Sequence, residues 1–331
     1  MFQYAEEGGK KLKYLYDEFP EKKMLVTGSS ASEMTVKGLK YLTGRVLKFR
    51  LFPFTFREYL RTKDKELYQL FIKREEKLEG WIKGDEEIDI TEASLERMEN
   101  LRKKYAVYGG YPRVVLSDSG EEKQKVLENI VETYLVREIG DVMGIEDDRE
   151  IEDLMKLLGL QMGEKTNYNP ITEDLGISYQ KLKDRLSILE HRFVLEQVRP
   201  FYTDKKKEIV KSPKIYFHDP GFRNSLLNSF QQLEYRNDKG ELNENFFFTQ
   251  ARKELKYWRT KSRAEVDFVR KNGDIRAYEI KSKPKMTKSV RSFQEKYEPE
   301  EMFIMNEEKI EKKDSEIYLP LIFSERAVNL E

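Results

Sequence analysis

The chain has 331 residues, 37% of them charged, and its 61 basic residues balance its 61 acidic residues. This length allows two or three domains with a buried core, and the neutral balance means that nucleic-acid binding would have to use local basic patches. The absence of cysteine excludes disulfides, thiol catalysis and cysteine zinc sites, and the presence of only two histidines excludes a histidine-rich metal centre.

No apolar run approaches the roughly 18 residues of a membrane-spanning helix. The first residues also lack the apolar region of a signal peptide. We therefore expect a cytoplasmic protein without membrane contact.

The first unit is predicted over residues 1–65. A helical stretch leads to a short apolar strand, Met24 to Val26, which runs directly into the turn TGSS. A second strand is predicted over Arg45 to Phe52, and a helix begins near Pro53. These elements would form one edge of an α/β layer.

The same segment contains TGSS, then Gly-Arg, then LFPFTFREYL. This series of motifs resembles the C-terminal part of the ATPase core in an archaeal and bacterial family of the AAA superfamily. That family carries an uncharacterised C-terminal region that ends in a nuclease-like domain, and its TGSS strand senses the nucleotide γ-phosphate. The resemblance implies a nucleotide-sensing role for Thr27, Gly28, Ser29 and Arg45.

The sequence departs from that family because it has no G-x-x-x-x-G-K-[ST] loop and no apolar run ending in Asp-Glu. The backbone N–H groups and the lysine of such a loop hold the phosphates of ATP. We therefore expect a truncated P-loop ATPase edge that does not bind or hydrolyse ATP by itself. The alternative interpretation of TGSS is a strand-end turn with a helix N-cap.

The middle of the chain is predicted to be helical over residues 66–145, with a polar surface insertion before Asn100. Residues 146–212 follow the order helix, short helix, turn, helix and two strands, which is typical of a winged helix. Its longer helix, Tyr179 to Glu190, would then enter the major groove of DNA, with a lysine turn on phosphate. The candidate DNA-binding residues are Lys181, Lys183, Arg185, Lys205, Lys206 and Lys207. The alternative is a winged helix that packs against protein.

A strand from Lys214 leads to His218 and Asp219, which we interpret as a strand-end histidine beside a helix-capping aspartate. Residues 252–263 form the densest basic and aromatic segment of the chain. This mixture suits phosphate and base contacts, and it suits a solvated helix end nearly as well.

Residues 264–281 combine acidic and basic residues at spacings that indicate a catalytic role as well as solvation. Two alternating segments flank the turn at Asn272-Gly273, which predicts a tight β-hairpin. Because strand side chains alternate between two faces, Val266, Phe268, Tyr278 and Ile280 are expected to face the core. The other face would bring together Asp267, Glu279 and Lys281.

The order acid, hairpin, acid-x-lysine resembles the PD-(D/E)XK, restriction-endonuclease-like fold. Asp267 takes the aspartate position and Glu279-Ile280-Lys281 takes the (D/E)XK position, while Glu244 matches an acid on the preceding helix. The resemblance implies a catalytic set in which Asp267 and Glu279 bind Mg²⁺, Lys281 acts at the water or scissile phosphate, and Glu244 assists. The alternative is a solvated face of a protein rich in lysine and glutamate.

The predicted fold class is α/β multidomain, with an ATPase remnant, a helical and winged-helix middle, and a restriction-endonuclease-like domain over residues 213–331. Two functions are expected. One is a Mg²⁺-dependent nuclease that acts on DNA. The other is a catalytically inactive module that binds DNA or a protein partner, with self-association as a further expectation.

Overall fold

The computed structural model describes residues 7–27, 40–42, 44–145 and 147–330. The α-helices within these ranges are α1 (Gly8–Glu18), α2 (Phe56–Lys63), α3 (Lys65–Lys83), α4 (Glu92–Tyr108), α5 (Pro112–Leu116), α6 (Gly120–Ile130), α7 (Gly140–Met143), α8 (Asp148–Leu160), α9 (Tyr168–Asp174), α10 (Tyr179–His191), α11 (Lys205–Val210), α12 (Pro220–Leu226), α13 (Lys239–Ala251), α14 (Lys288–Tyr297) and α15 (Ser324–Val328). A π-helix, Val131–Ile139, joins α6 to α7, and short 3₁₀ helices lie at Lys40–Leu42, Leu233–Tyr235 and Leu321–Phe323.

The strands in the described ranges are β1 (Leu195–Val198), β2 (Lys214–Phe217), β3 (Lys256–Arg259), β4 (Glu265–Asn272), β5 (Asp274–Ile280), β6 (Glu301–Asn306), β7 (Glu311–Lys313) and β8 (Glu316–Pro320). β1 and β2 form an antiparallel pair, and the other strands form a mixed sheet in the order β3-β4-β5-β6-β8-β7. The mixed α/β class is thus confirmed.

The two strands predicted near the N-terminus are wrong. Residues 24–27 and 45–52 belong to no strand, and Leu25, Leu47, Phe49 and Leu51 are exposed. A strand is stable only when its N–H and C=O groups bond to a neighbouring strand. In the part of the chain that the structure describes, no strand lies beside either segment.

The predicted helix near Pro53 is present as α2, because its start carries a capping box. The Thr55 hydroxyl accepts a hydrogen bond from the Glu58 N–H at 3.3 Å, and the Glu58 carboxylate accepts one from the Thr55 N–H at 2.8 Å. The next helix, α3, was expected in a surface insertion, and this is wrong. Phe71 is buried and its ring stacks on Phe323 with centroids 5.5 Å apart.

The predicted lysine turn of the winged helix is also wrong. Lys205–Val210 forms the short helix α11, since the Asp204 carboxylate caps its start by accepting from the Lys206 N–H at 3.0 Å. The two flanking strands do pair, with Leu195 opposite Phe217 and Val198 opposite Lys214. The connection between them is therefore a helix, while the winged-helix assignment stays a prediction.

The predicted hairpin is confirmed as β4 and β5, joined at Gly273 with a φ of +83°. β3, β4 and β5 run antiparallel, and β6 then lies parallel to β5. Helix α14 makes this parallel crossover between β5 and β6 and packs Phe293 against Trp258 on one face, with ring centroids 5.2 Å apart. On the other side, Phe247 of α13 stacks on Phe268 with centroids 5.2 Å apart.

The prediction that Val266 and Phe268 share a face is wrong. From Lys256 to Trp258 strand β3 advances two residues, while its partner β4 advances three, from Val269 to Val266. This is a β-bulge, in which one extra residue re-aims the side chains beside it. Val266 therefore packs in the cluster of Trp258 and Phe293, whereas Phe268 packs in the larger hydrophobic core.

The larger hydrophobic core contains residues from all four predicted segments, and Phe56 is its first residue along the chain. It includes Phe56 of α2, Leu154 of α8, Phe246 of α13 and Val328 of α15. The four predicted boundaries stay predictions, but helices α4 and α13 pack directly on each other beside the mixed sheet. The helical middle therefore helps to position the C-terminal strands.

Asp219 joins the turn after α4 to the start of α12, which confirms its interpretation as a helix cap. Its carboxylate accepts from the Phe222 N–H at 2.9 Å and from the Gly110 N–H at 2.7 Å. Burial raises the pKa of this carboxyl to about 7, against the opposing effect of its backbone N–H donors. His218 lies beside it against the aromatic rings of Phe52 and Phe248, and its Nε2 lies 3.8 Å from Glu196 Oε2.

Gly109 at this junction is expected to be intolerant of alanine. Its φ of +76° and ψ of −170° lie in a region open essentially to glycine alone, and a Cβ there would be 2.0 Å from Asp219 Oδ1. Gly109→Ala should lower the free energy of unfolding by roughly 3 kcal/mol in urea titrations. Gly84→Ala is the matched control, because Gly84 also has a positive φ, +87°, but its Cβ would meet nothing within 4 Å. A loss in Gly109→Ala that is no larger than the loss in Gly84→Ala would contradict this expectation.

No helix in the described ranges combines the length and the apolar character needed to cross a membrane.

Candidate functional site

The β4–β5 hairpin brings the predicted acids together. Phe268 lies opposite Tyr278 in the register, so Asp267 reaches the end of β5 beside Glu279. The Ile280 N–H donates a hydrogen bond of 2.8 Å to Asp267 Oδ2 and fixes that carboxylate against the neighbouring strand. Both acids are buried, with relative exposures of 5% and 3%.

Lys281, the residue after β5, completes the predicted set. Its Nζ lies 3.0 Å from Glu279 Oε1 and 3.8 Å from Asp267 Oδ2. A single cation therefore already bridges the two carboxylates. Glu279 Oε2, in contrast, is buried and has no hydrogen-bond partner among the described residues.

Glu244 projects from α13 toward the same cluster, as the sequence predicts for an acid on the preceding helix. Its Oε2 accepts a hydrogen bond of 2.6 Å from the Tyr216 hydroxyl and lies 3.4 Å from Lys214 Nζ. Lys214 Nζ also lies 2.5 Å from Glu265 Oε1. Glu244 thus belongs to a second lysine-bridged carboxylate pair beside Asp267 and Glu279.

The pKa values show how strongly these charges interact. Burial raises the pKa of Glu279 to about 8; the Asp267 carboxylate adds to this shift, and the Lys281 ammonium opposes it. Burial likewise raises the pKa of Glu244 to about 7, although Lys214 opposes it. For Lys214 and Lys281, burial favours the neutral amine, but the surrounding carboxylates outweigh it and raise both pKa values. The cluster therefore stabilises added positive charge.

The donor set fits a divalent cation at Asp267 and Glu279. No group of three or more acidic or histidine side chains in the described ranges is arranged to hold a metal ion. Mg²⁺, however, is commonly bound through one or two carboxylates, and waters and substrate phosphate complete its octahedral shell. The buried, unpartnered Oε2 of Glu279 is an oxygen of the required type.

The predicted DNA-binding residues fall into different environments. Lys181 and Lys183 are exposed on α10, where Lys183 Nζ lies 4.8 Å above the Tyr179 ring. Arg185 was expected on the same outer face, and this is wrong: its side chain is 3% exposed and its Nη2 lies 2.8 Å from Glu150 Oε1. Arg185 follows Leu182 by three residues, which places it on the buried stripe of the helix.

The predicted lysine cluster on α11 presents at least two lysines to solvent. Lys206 and Lys207 are exposed, and Lys207 Nζ lies 3.7 Å from Asp204 Oδ2. Lys205 begins the helix, but its side chain lies outside the described part of the structure. These three lysines keep their predicted role as a proposal.

The prediction of base contacts from the segment 252–263 is wrong for its aromatic residues. Tyr257 and Trp258 lie on β3, and each is 2% exposed within the hydrophobic clusters. Lys256 and Arg259 on the same strand pair with Glu208 at 2.8 Å and with Glu265 at 2.9 Å. The middle of the segment, Lys256–Arg259, is therefore a core strand with paired charges, while Lys253, Lys261 and Arg263 lie outside it and are exposed.

The predicted nucleotide-sensing residues lie at the edge of the described structure. Gly28 and Ser29 fall outside the described residues, and Thr27 is exposed. Arg45 pairs with Asp17 of α1 at 2.9 Å and lies over the Tyr16 ring. Their sensing role stays a prediction.

Lys214 and Tyr216 are site residues that the sequence reasoning missed. Both lie on β2, outside the mixed sheet, and reach the acids across the fold. The sequence feature that could have identified Lys214 is the apolar strand KIYF, because a lysine inside an otherwise buried strand requires a charged partner.

Three family models match separate parts of the chain. Residues 2–60 match an AAA domain, residues 99–233 match a domain of unknown function (DUF8612), and residues 239–322 match a second domain of unknown function (DUF4143). The match over residues 2–60 agrees with the resemblance of this segment to an AAA domain.

The curated relatives are themselves uncharacterised. A protein of Haemophilus influenzae is 20% identical over 62% of this chain and 46% of its own length. A protein of Mycobacterium tuberculosis is 27% identical over 56% of this chain and 44% of its own length. One of Methanocaldococcus jannaschii is 29% identical over 65% of this chain and 44% of its own length. The chain spans about half the length of the curated relatives that it matches, and no solved structure matches it significantly.

Proposed function

We propose that the C-terminal α/β unit hydrolyses phosphodiester bonds in DNA with a divalent cation held by Asp267 and Glu279. The observation that carries this proposal is the convergence of both carboxylates on the Lys281 ammonium at the end of the hairpin. Two buried carboxylates on neighbouring strands repel each other unless a cation lies between them. The arrangement therefore favours binding of a cation over a merely solvated acidic face.

The order α13, β3, β4, β5, α14 and β6 supports the proposal. Three antiparallel strands are followed by a helix and a parallel strand, with the acids on the second and third strands. This order agrees with the restriction-endonuclease-like resemblance of the sequence.

Each residue then has a distinct role. Asp267 and Glu279 would hold Mg²⁺, which when bound polarises the phosphate and lowers the pKa of a coordinated water. Lys281 is the most exposed member of its group and can turn toward the scissile phosphate, where its ammonium stabilises developing negative charge. The Ile280 N–H keeps Asp267 oriented, because it donates to the carboxylate.

The test is an assay of the full chain with end-labelled single-stranded and duplex DNA in Mg²⁺, in Mn²⁺ and in EDTA. We expect cleavage of at least one substrate with either metal and none in EDTA. Absence of cleavage under every condition, together with no Mn²⁺ binding in calorimetry, would overturn the proposal.

A second candidate function is an inactive scaffold that binds DNA or protein. It is favoured by the Lys281 ammonium, which already bridges the acids and can act as a permanent substitute for a metal ion. This function predicts that Mn²⁺ does not bind and that cleavage is absent while DNA binding is present.

The exposed lysines of α10 provide a separate prediction on DNA binding. Lys181→Ala combined with Lys183→Ala should weaken duplex binding and reduce the slope of log affinity against log salt by about 1.8, roughly 0.9 for each phosphate that is no longer neutralised. Fluorescence anisotropy with labelled duplex at several salt concentrations measures this slope. Lys125→Ala is the control, because Lys125 is an exposed helical lysine paired with Glu121 on α6. An unchanged slope in the double variant would mean that α10 packs against protein.

A further inference from the structure

Lys214 is buried to an extent that is unusual for a lysine. It is 1% exposed, on a strand whose four residues are all buried. Its ammonium lies between Glu265 and Glu244, and it also lies 5.7 Å above the Tyr257 ring. A buried ammonium without such partners would lose its charge. The site therefore holds this lysine in its charged form.

The cluster contains two similar units, each with one lysine shared by two carboxylates. Lys281 bridges Asp267 and Glu279, while Lys214 bridges Glu244 and Glu265. In both units an ammonium occupies a position that suits a cation between acidic oxygens. The two units also interact, since the Asp267 charge raises the pKa of both lysines.

The two lysine side chains differ in whether they can move away from the carboxylates that they bridge. The side chain of Lys281 is 38% exposed and follows the last residue of β5, so it can swing into solvent. The side chain of Lys214 is 2% exposed, and its backbone pairs with Val198 on β1 and with Lys165 on the other side. An incoming cation can therefore displace Lys281 but not Lys214.

The unpartnered oxygen also belongs to only one of the units. Glu279 Oε2 is buried without a hydrogen bond, whereas Glu244 Oε2 accepts from Tyr216 and contacts Lys214. Burying an unsatisfied carboxylate oxygen is costly, and ligand binding would remove that cost. The capacity for a further ligand thus lies at the Asp267 and Glu279 unit.

We propose that Lys214 is a built-in cation that neutralises Glu244 and Glu265, so that the cluster takes one divalent cation at Asp267 and Glu279 in exchange for Lys281. Lys214 is in this view a positioning residue, and Glu244 is not a metal ligand. The proposal rests on the proposed function, because it specifies the number of cations in that same site.

Isothermal titration of the full chain with Mn²⁺, checked by the electron paramagnetic resonance signal of free Mn²⁺, tests this number. The wild type should bind one Mn²⁺, Lys214→Met should bind two, and Lys281→Met should bind one about tenfold more tightly because the competing ammonium is gone. Two ions in the wild type, or one ion with unchanged affinity in Lys214→Met, would overturn the role of Lys214 and leave the proposed function intact. No binding by the wild type would instead remove the proposed function and this inference together.

A second variant, Glu244→Gln, tests the proposal if Lys214→Met does not fold. Glu244→Gln keeps the hydrogen bond from Tyr216, because the amide oxygen still accepts, and leaves Lys214 paired with Glu265. It should bind one Mn²⁺ with a dissociation constant within about tenfold of the wild-type value, because Glu244 acts on the cation only through its charge. A tenfold or greater loss of affinity would show that Glu244 is a ligand and would overturn the proposal.

Discussion

Asp267→Asn is expected to lower metal-dependent DNA cleavage by at least about 10³-fold without loss of the fold. A bound cation stabilises the charge of the transition state by several kcal/mol, and about 4 kcal/mol corresponds to a thousandfold in rate. The asparagine oxygen can still accept the hydrogen bond from the Ile280 N–H, so the local geometry is retained. Initial cleavage rates at saturating Mg²⁺, with circular dichroism of the variant, measure both parts of the prediction.

The matched control for Asp267→Asn is Glu311→Gln. Glu311 is also an acid on the mixed sheet with lysine partners, Lys309 at 2.7 Å and Lys313 at 2.9 Å, but it lies on β7 at the far end of the strand order. Its cleavage rate should equal that of the wild type. If Asp267→Asn cleaves as fast as Glu311→Gln, the activity comes from another site or from a contaminant.

The hairpin that carries the site could be predicted because its signals are local. The Asn272-Gly273 turn and the alternating segments on both sides fix two adjacent strands, and Glu279 and Lys281 then lie on one face. The β-bulge between Val266 and Val269 could not be predicted in the same way, since an extra residue leaves the composition of a strand unchanged. It is detected only through the register with β3.

Tertiary context explains the failures elsewhere. The residues predicted as strands near Leu25 and Phe49 have strong β-propensity, but propensity reflects packing against neighbouring strands, and none lies beside them in the described ranges. Lys214 and Glu244 are 30 positions apart and meet only because β2 packs on α13. Arg185 is the exception, because its helical spacing from Leu182 already indicated the buried stripe.

The buried acids also have a predictable effect on stability. Burial and Asp267 raise the pKa of Glu279 to about 8 from an ordinary value of 4.5, so the folded state binds a proton that the unfolded state releases between these two pH values. Stability from this group is therefore fully present below about pH 4.5 and is lost as the pH rises toward 8. The loss is at most ~1.4 kcal/mol for each pH unit within that window.

Glu279→Gln is accordingly expected to be more stable than the wild type at pH 9 by a few kcal/mol, with the difference shrinking toward zero near pH 5. Urea titrations of both proteins across this range, in EDTA, give the difference directly. Asp219 titrates in the same direction in both proteins, so its contribution cancels in the comparison.

Glu311→Gln again supplies the control, with the opposite sign. Lys309 and Lys313 lower the pKa of Glu311, so the wild-type charge is favourable and its replacement should bring no gain at pH 9. Added Mn²⁺ should stabilise the wild type most strongly at alkaline pH, where protons no longer compete for Glu279, and should not stabilise Glu279→Gln. A wild type that is as stable as Glu279→Gln at pH 9 without metal would mean that Lys281 alone neutralises the acid pair, which is the arrangement that the inactive scaffold requires.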